Sequence, residues 1–147
     1  MKDMKEELLR EKALRYLVCY AGGCDRREHC LRWLAGPYVS DTDGVQTCVN
    51  VMNKEVRAGR CPFFKADEKV TMMRGFTHLY DDMPKRMGTA IRLELDAAYG
   101  HTMYYKYRNG ELPVTPRMQK HIASVCRKHG WTASPVYDSS TEEYDWE

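Results

Sequence analysis

The stretch Cys19-Tyr-Ala-Gly-Gly-Cys24-Asp-Arg-Arg-Glu-His-Cys30 carries three cysteines on a segment broken by a glycine pair, and Cys61 follows later in the chain. Soft thiolate sulfurs that are gathered on one looped segment can surround a zinc ion or an iron–sulfur cluster. Because clustered thiolates repel one another unless a cation holds them together, the pattern predicts a fold that is stapled by metal. It predicts a site and indicates no reaction.

The spacing of the cysteines leaves the identity of the metal open. Structural zinc usually takes paired short loops such as Cys-x2-Cys, and only Cys19-x4-Cys24 comes near that range. The uneven spacing and the Cys61-Pro62 dipeptide suit a [4Fe–4S] cluster better. His29 and Cys48 are possible substitute ligands. We expect the cofactor to be zinc or a [4Fe–4S] cluster, and the expected metal ligands are Cys19, Cys24, Cys30 and Cys61.

The same thiols have a metal-free interpretation. Free cysteine is among the residue types that are most often buried, so these side chains can be small core residues. Redox disulfides are a third possibility, and Cys126 stands apart from the group. The sequence contains no nucleophile elbow, Walker loop, dinucleotide fingerprint or His-Glu-x-x-His pair, so an enzyme is the less favoured interpretation and no catalytic residue is predicted.

Composition is that of a soluble chain. The 147 residues are 43% hydrophobic and 30% charged, which predicts one domain over 1–147 with a core of its own. No stretch has the length and apolarity of a signal peptide or a membrane span, so we expect a cytoplasmic protein without membrane contact. The predicted parts are a cysteine-rich segment over 19–61, a helical body over 66–130 and an acidic, aromatic tail over 131–147.

Apolar periodicity and breaker residues predict a mainly α fold with at most a short β-hairpin. A polar, turn-rich region that includes 41–44 separates the first helices from the rest. Short extended runs are predicted at 45–52 and 103–107. The predicted helices are 3–20, 29–35, 66–82, 84–99 and 115–130.

The last of these helices has two distinct faces. Thr115 and Pro116 form an N-cap and first-position pair, and Gly130 ends the helix. Apolar side chains repeat at helical spacing on one side, which predicts that this side is buried. The predicted inward residues are Met118, Ile122 and Val125, and the predicted outward residues are Arg117, Lys120, Arg127 and Lys128.

The basic residues are unevenly distributed. The segment 101–130 holds six lysines and arginines against Glu111, whereas 138–147 holds five acidic residues and no basic one. Cations interleaved with tyrosines can contact phosphates while the rings stack on bases, although a solvated helix face and simple packing are the favoured explanations of the pattern. The residues that this hypothesis assigns to nucleic-acid binding are Lys106, Arg108, Lys120, Lys128 and Tyr105.

Several motifs, taken together, resemble a bacterial family of unknown function, the domain of unknown function numbered 6078. The resemblance covers nearly the whole chain from Cys19 onward. It implies a self-contained domain in an intracellular bacterial setting, and it implies no activity, substrate or catalytic residue. The motifs are Cys30-Leu-Arg-Trp-Leu-Ala35, Cys61-Pro-Phe-Phe64, Met83-Pro84, Tyr99-Gly100, Tyr104-Tyr-Lys-Tyr-Arg-Asn-Gly-Glu-Leu-Pro-Val-Thr-Pro116 through Gln119, Gly130-Trp131 and Tyr144-Asp145-Trp146.

The function that the sequence favours is that of a small binding or regulatory protein with a structural zinc or iron–sulfur site. Its partner would be another protein or, less favoured, a nucleic acid that contacts the basic helix. The alternatives are a metal-free interaction module with buried cysteines and a redox or cluster-dependent enzyme.

Overall fold

The computed structural model describes residues 4–39 and 44–147. The chain forms two compact units, one comprising Met1–Glu68 with Asp145–Glu147 and the other Lys69–Tyr144, which we call the cysteine unit and the sheet unit. The first residue of the helix predicted over 3–20, and most of the turn predicted at 41–44, lie outside the described residues. That 1–147 is a single domain stays a prediction.

Short helices joined by turns make up the cysteine unit. Helix α1 spans Met4–Ala13, α2 spans Leu31–Ala35 and α3 spans Lys54–Arg57. Asn53 caps α3, because its side chain accepts hydrogen bonds from the N–H groups of Glu55 and Val56.

Helix α1 ends earlier than the sequence predicts. The predicted helix over 3–20 stops at Ala13, and Val18 instead forms an isolated parallel bridge with Cys48. The N–H of Val49 donates to the carbonyl of Val18 at 2.9 Å, so the backbone after α1 is paired with a distant segment. The run predicted at 45–52 contributes this bridge and forms no strand in the part of the chain that is described.

The sheet unit contains both helices and strands. Helix α4 spans Lys85–Tyr99, α5 spans His101–Arg108 and α6 spans Pro116–Lys128. Strands β1 (Lys69–Arg74), β2 (Pro113–Val114) and β3 (Ser139–Tyr144) form an antiparallel sheet in the order β2-β1-β3. The prediction of a mainly α fold with at most a hairpin is therefore wrong, since the described residues give 44% helix, 13% strand and a three-stranded sheet.

The helix predicted over 66–82 is the main source of this error. Lys69–Arg74 is the central strand β1, in which Met73 pairs with Val114 on one side and with Ser140 on the other. Both partners are remote in sequence, so the local apolar spacing of Val70, Met73 and Tyr80 could not reveal them.

The strand predicted at 103–107 is also wrong, because these residues lie in α5. A strand over these residues would place Tyr105 inside and Tyr104 outside, whereas in the helix Tyr104 is buried and Tyr105 is half-buried, so the predicted order is reversed. Gly100 separates α4 from α5 with a φ of 81° and a ψ of 144°, a conformation that is essentially restricted to glycine.

Part of the acidic tail is a strand. Residues Ser139–Tyr144 pair with the whole length of β1. Glu142 accepts a hydrogen bond from the Thr71 hydroxyl at 2.7 Å, and Glu143 forms an ion pair with Arg74 at 2.8 Å. These acidic side chains therefore contact the strand beside them.

Helix α6 confirms its prediction. The Thr115 hydroxyl accepts a hydrogen bond from the Met118 N–H, and Pro116 is the first helical residue.

The core of the sheet unit joins this helix to the other elements. Its buried members are Phe76, Leu79, Met83, Ile91, Leu95, Tyr104, Val114, Met118, Ile122, Val125 and Cys126.

None of the helices in the described residues has the length and apolar character that crossing a membrane requires.

Candidate cysteine site

The four cysteines that the sequence selects line one cavity in the cysteine unit. Cys19, Cys24, Cys30 and Cys61 face a space of about 20 Å³, which is comparable with the room that one water molecule needs. The cavity is closed by aromatic, aliphatic and basic side chains. These include Arg27, Arg32, Trp33, Val49, Val56, Phe63 and Phe64.

Tight turns position Cys19 and Cys24. The N–H of Cys19 donates to the carbonyl of Arg32 at 2.9 Å, which holds the first cysteine against helix α2. The N–H of Cys24 donates to the carbonyl of Ala21 at 3.1 Å and closes a turn through the glycine pair. The Ala21 N–H also donates to Sγ of Cys19 at 3.4 Å, and a hydrogen bond of this kind favours the thiolate form.

Cys30 is the most buried of the four. It lies in extended backbone at the N-cap position of α2, with 8% of its surface exposed. An isolated antiparallel bridge joins it to Ala66, and the N–H of Leu31 donates to the carbonyl of Lys65 at 2.8 Å. These contacts fix the segment that follows Cys61 beside the start of α2.

Cys61 arrives from a separate part of the chain. Helix α3 ends in a turn at Gly59, whose φ of 76° favours glycine. The N–H of Phe64 donates to the carbonyl of Cys61 at 3.4 Å, so the Cys-Pro-Phe-Phe segment turns at the cavity. The position of Cys61 beside the other cysteines therefore depends on pairing between remote segments, such as the bridge between Cys30 and Ala66.

Arginines surround the cysteines. Arg27 donates from Nη1 to the Cys24 carbonyl at 3.3 Å, and its guanidinium lies 5.8 Å from the Trp33 ring. Arg26 stacks over Phe64 at 4.3 Å and donates to the Gly59 carbonyl at 3.3 Å. These contacts fix the two arginines beside the turn that carries Cys24 and beside the segment that carries Cys61.

The pKa of the Cys19 thiol lies above its ordinary value. Burial is the largest cause, and Coulombic interaction with the other three cysteines raises the pKa further, while the Ala21 N–H lowers it. Without a cation, Cys19 is therefore a protonated thiol at neutral pH. A bound cation would reverse this balance, because it stabilises the thiolate.

The alternative ligands lie apart from the cavity lining. Cys48 is exposed and pairs through its backbone with Val18, and His29 is exposed with its Nδ1 3.7 Å from Asp67. Cys126 is buried in α6, and burial raises the pKa of its thiol. All six cysteines are free thiols.

The sulfurs share the cavity without forming a ready-made ligand set. Among residues 4–39 and 44–147, no group of three or more histidine, cysteine, aspartate or glutamate side chains is arranged closely enough to hold a metal ion. That the four cysteines are ligands therefore stays a prediction.

The residues predicted to bind nucleic acid lie in the sheet unit and have different environments. Lys106 on α5 and Lys120 on α6 are exposed, whereas Lys128 forms an ion pair with Glu94 at 2.8 Å. Nε of Arg108 is buried and has no hydrogen-bond partner among the described residues. Tyr105 packs edge-on against His101 and Tyr104, at 4.9 and 5.1 Å between ring centroids.

Sequence reasoning missed Arg32 and the aromatic residues of the cavity wall. Trp33, Phe63 and Phe64 directly follow cysteine segments, and this adjacency was the available signal. Nothing in the local pattern indicated that Arg32 would contact the chain near Cys19 and near Cys61.

Comparison of the chain with known protein families gives a match over almost its entire length, and this match includes the motifs that resemble a known family. The protein belongs to the family of unknown function DUF6078, which matches residues 1–146. The searches of curated proteins and of solved structures found no match.

Proposed function

We propose that this is a metal-binding protein in which Cys19, Cys24, Cys30 and Cys61 hold a structural zinc ion or a [4Fe–4S] cluster. The observation that carries the proposal is the cavity that all four side chains line. Cys61 comes from a segment separate from the one that carries the other three, so the convergence of the four depends on the tertiary fold.

The small core of the cysteine unit also supports the proposal. Its contiguous buried cluster consists of Leu9, Val18 and Ala35, whereas the cluster in the sheet unit has eleven members and includes bulky aromatic residues. The described hydrophobic residues of the cysteine unit that are buried outside its cluster are Ala13, Cys30, Leu31, Val49 and Val56. Small units with little buried apolar surface commonly depend on a metal or on disulfides. With free thiols rather than disulfides in the cysteine unit, a metal is the cross-link that its residues can supply.

The donor set suits a structural role. Four cysteine ligands complete the tetrahedron of a zinc ion and leave no position for a substrate. The same four ligands satisfy a [4Fe–4S] cluster. Since thiolates must remain reduced to bind either, the proposal requires a reducing compartment such as the cytoplasm.

Binding has to draw the sulfurs together, because no close ligand group exists among the described residues. Metal that binds only the folded form stabilises it in proportion to its affinity. We therefore expect the metal-loaded protein to unfold at a higher temperature than the metal-free protein. In the metal-free alternative, the thiols are ordinary packing residues and added metal changes nothing.

Elemental analysis of protein purified without oxygen tests the proposal. We expect about one zinc per chain, or about four irons with matching acid-labile sulfide. Cys24→Ser and Cys61→Ser should lose the bound element, while the exposed Cys48→Ser keeps it and serves as the matched control. Parent protein that contains neither element, and that takes up neither after reconstitution, would contradict the proposal.

A further inference from the structure

Arg32 has an unusual position next to the cavity. It lies on α2, two residues after Cys30, and its side chain forms part of the cavity wall. Its carbonyl accepts the N–H of Cys19 at 2.9 Å. The backbone of Arg32 thus holds one predicted ligand while the residue follows another in sequence.

Its guanidinium donates hydrogen bonds to two segments, one near Cys19 and one near Cys61. Nη1 donates to the carbonyl of Leu17 at 2.9 Å, and Nε donates to the carbonyl of Phe63 at 2.7 Å. Leu17 precedes Cys19 by two residues, and Phe63 follows Cys61 by two residues. One side chain therefore connects the segments that carry Cys19, Cys30 and Cys61.

The geometry requires arginine. A planar guanidinium presents several N–H donors in a fixed fork, whereas a lysine ammonium is a compact charge on a flexible stem. The Tyr16 ring lies 4.7 Å from Cζ of Arg32, and stacking of this kind orients the guanidinium plane. The guanidinium thereby fixes the distance between the carbonyls of Leu17 and Phe63.

The charge of Arg32 also suits the site. Four thiolates carry more negative charge than one divalent ion neutralises, and a nearby cation reduces that excess. Outer-shell groups of this kind position the ligands and tune the affinity of metal sites.

We infer that Arg32 is the positioning residue of the four-cysteine site: it sets the separation of the Cys19 and Cys61 segments. The inference rests on the proposed function, because it concerns the affinity of that same site for metal. It does not require Arg32 to contact the metal.

The experiment compares Arg32→Met, Arg32→Lys and the control Arg57→Met, in which an exposed arginine that does not line the cavity is replaced. Metal-free full-length proteins are titrated with Co²⁺ and then with Zn²⁺ as a competitor. Sulfur-to-cobalt charge-transfer absorption reports how many thiolates bind, which a general loss of stability would not change. We expect Arg32→Met to lower affinity by about 10–100-fold and Arg32→Lys to fall in between.

The outcomes separate the two proposals. A parent protein that binds neither Co²⁺ nor Zn²⁺, and takes up no iron after reconstitution, overturns the proposed function and this inference with it. Metal binding by the parent together with equal affinities for Arg32→Met and Arg57→Met overturns the inference alone. If Arg32→Met does not fold, Arg32→Lys decides, since parental affinity in that variant contradicts a role for the fork. If the parent takes up only a cluster, retained iron after reconstitution replaces the Co²⁺ signal in every comparison.

Discussion

Lys5 and Asp67 form an ion pair, with 2.8 Å between Nζ and Oδ2, that joins helix α1 to the segment following Cys61. The hydrogen bond from Lys5 is the largest cause that holds the pKa of the Asp67 carboxyl below its ordinary value, and it outweighs the opposing effect of burial. A charged Asp67 is therefore favoured in the folded state.

The first prediction concerns acid stability. Because the folded pKa of Asp67 is depressed, its contribution is fully present above the unfolded pKa of about 3.9 and is lost as pH falls through the lower folded value. Lys5→Met should remove about 0.5–1 kcal/mol of unfolding free energy at neutral pH and reduce the loss of stability on acidification below about pH 4. Urea unfolding across a pH series measures this, with the exposed Lys54→Met as the control. Identical pH profiles for parent and Lys5→Met would contradict the assignment.

The second prediction concerns helix α6. Ile122 is fully buried in the core of the sheet unit, so Ile122→Ala should reduce the free energy of unfolding by about 2–5 kcal/mol. Lys120 is exposed on the same helix, and Lys120→Ala should change it by no more than about 0.5 kcal/mol. Denaturant unfolding compares the two variants. Similar effects would mean that the faces of the helix are assigned wrongly.

The third prediction uses two glycines near the cysteine cavity. A Cβ at Gly36 would lie 3.0 Å from Cε1 of Tyr20 and 3.3 Å from the carbonyl of Cys19, whereas a Cβ at Gly23 would have no heavy atom within 4 Å. If the four cysteines bind metal as proposed, Gly36→Ala should displace the Cys19 segment and weaken that binding, while Gly23→Ala should leave it unchanged. Competition for zinc with a chelator measures both affinities. A larger loss in Gly23→Ala than in Gly36→Ala would refute this account of the site.

The fourth prediction tests the nucleic-acid hypothesis in the sheet unit. If Lys106 and Lys120 contact phosphates, the affinity for single strands should fall with salt, and replacing each lysine with alanine should reduce the slope by about 0.7. Lys54→Ala in the cysteine unit is the control. Titration of DNA and RNA at several salt concentrations gives the slopes. Salt-independent or absent binding by the parent would favour a protein partner.

The sequence predicted correctly those helices that are determined by residues within the helix itself, through capping and apolar spacing. Thr115 and Pro116 begin α6 through an N-cap and a fixed backbone angle, and the apolar spacing of α4 places Ile91 and Leu95 in the core. Ala98, which lies at helical spacing from both residues, is nonetheless exposed. The apolar patterns of α4 and α6 therefore predicted that these two helices exist and which face of each is buried.

Elements held by distant partners were not predictable in this way. Strand β3 reads Ser-Ser-Thr-Glu-Glu-Tyr, which lacks the apolar alternation that usually marks a strand, and its stability comes from pairing with β1. In the cysteine site, the sequence selected the four cysteines among the residues that line the cavity. The contacts of Arg32 with Leu17 and Phe63 depend on the tertiary fold, and a single sequence contains no local trace of them.

The pairing of Lys69 with Tyr144 has a consequence for the order of folding. During synthesis the central strand emerges from the ribosome well before the strand that completes the sheet, so its pairing with β3 waits until residues 139–144 have been made. Closing so long a loop is entropically costly, and contacts between remote segments form slowly. Until residues 139–144 have emerged, one edge of β1 offers unpaired backbone groups to other chains. Nascent chains that stall before residue 139 would therefore be the most prone to aggregate.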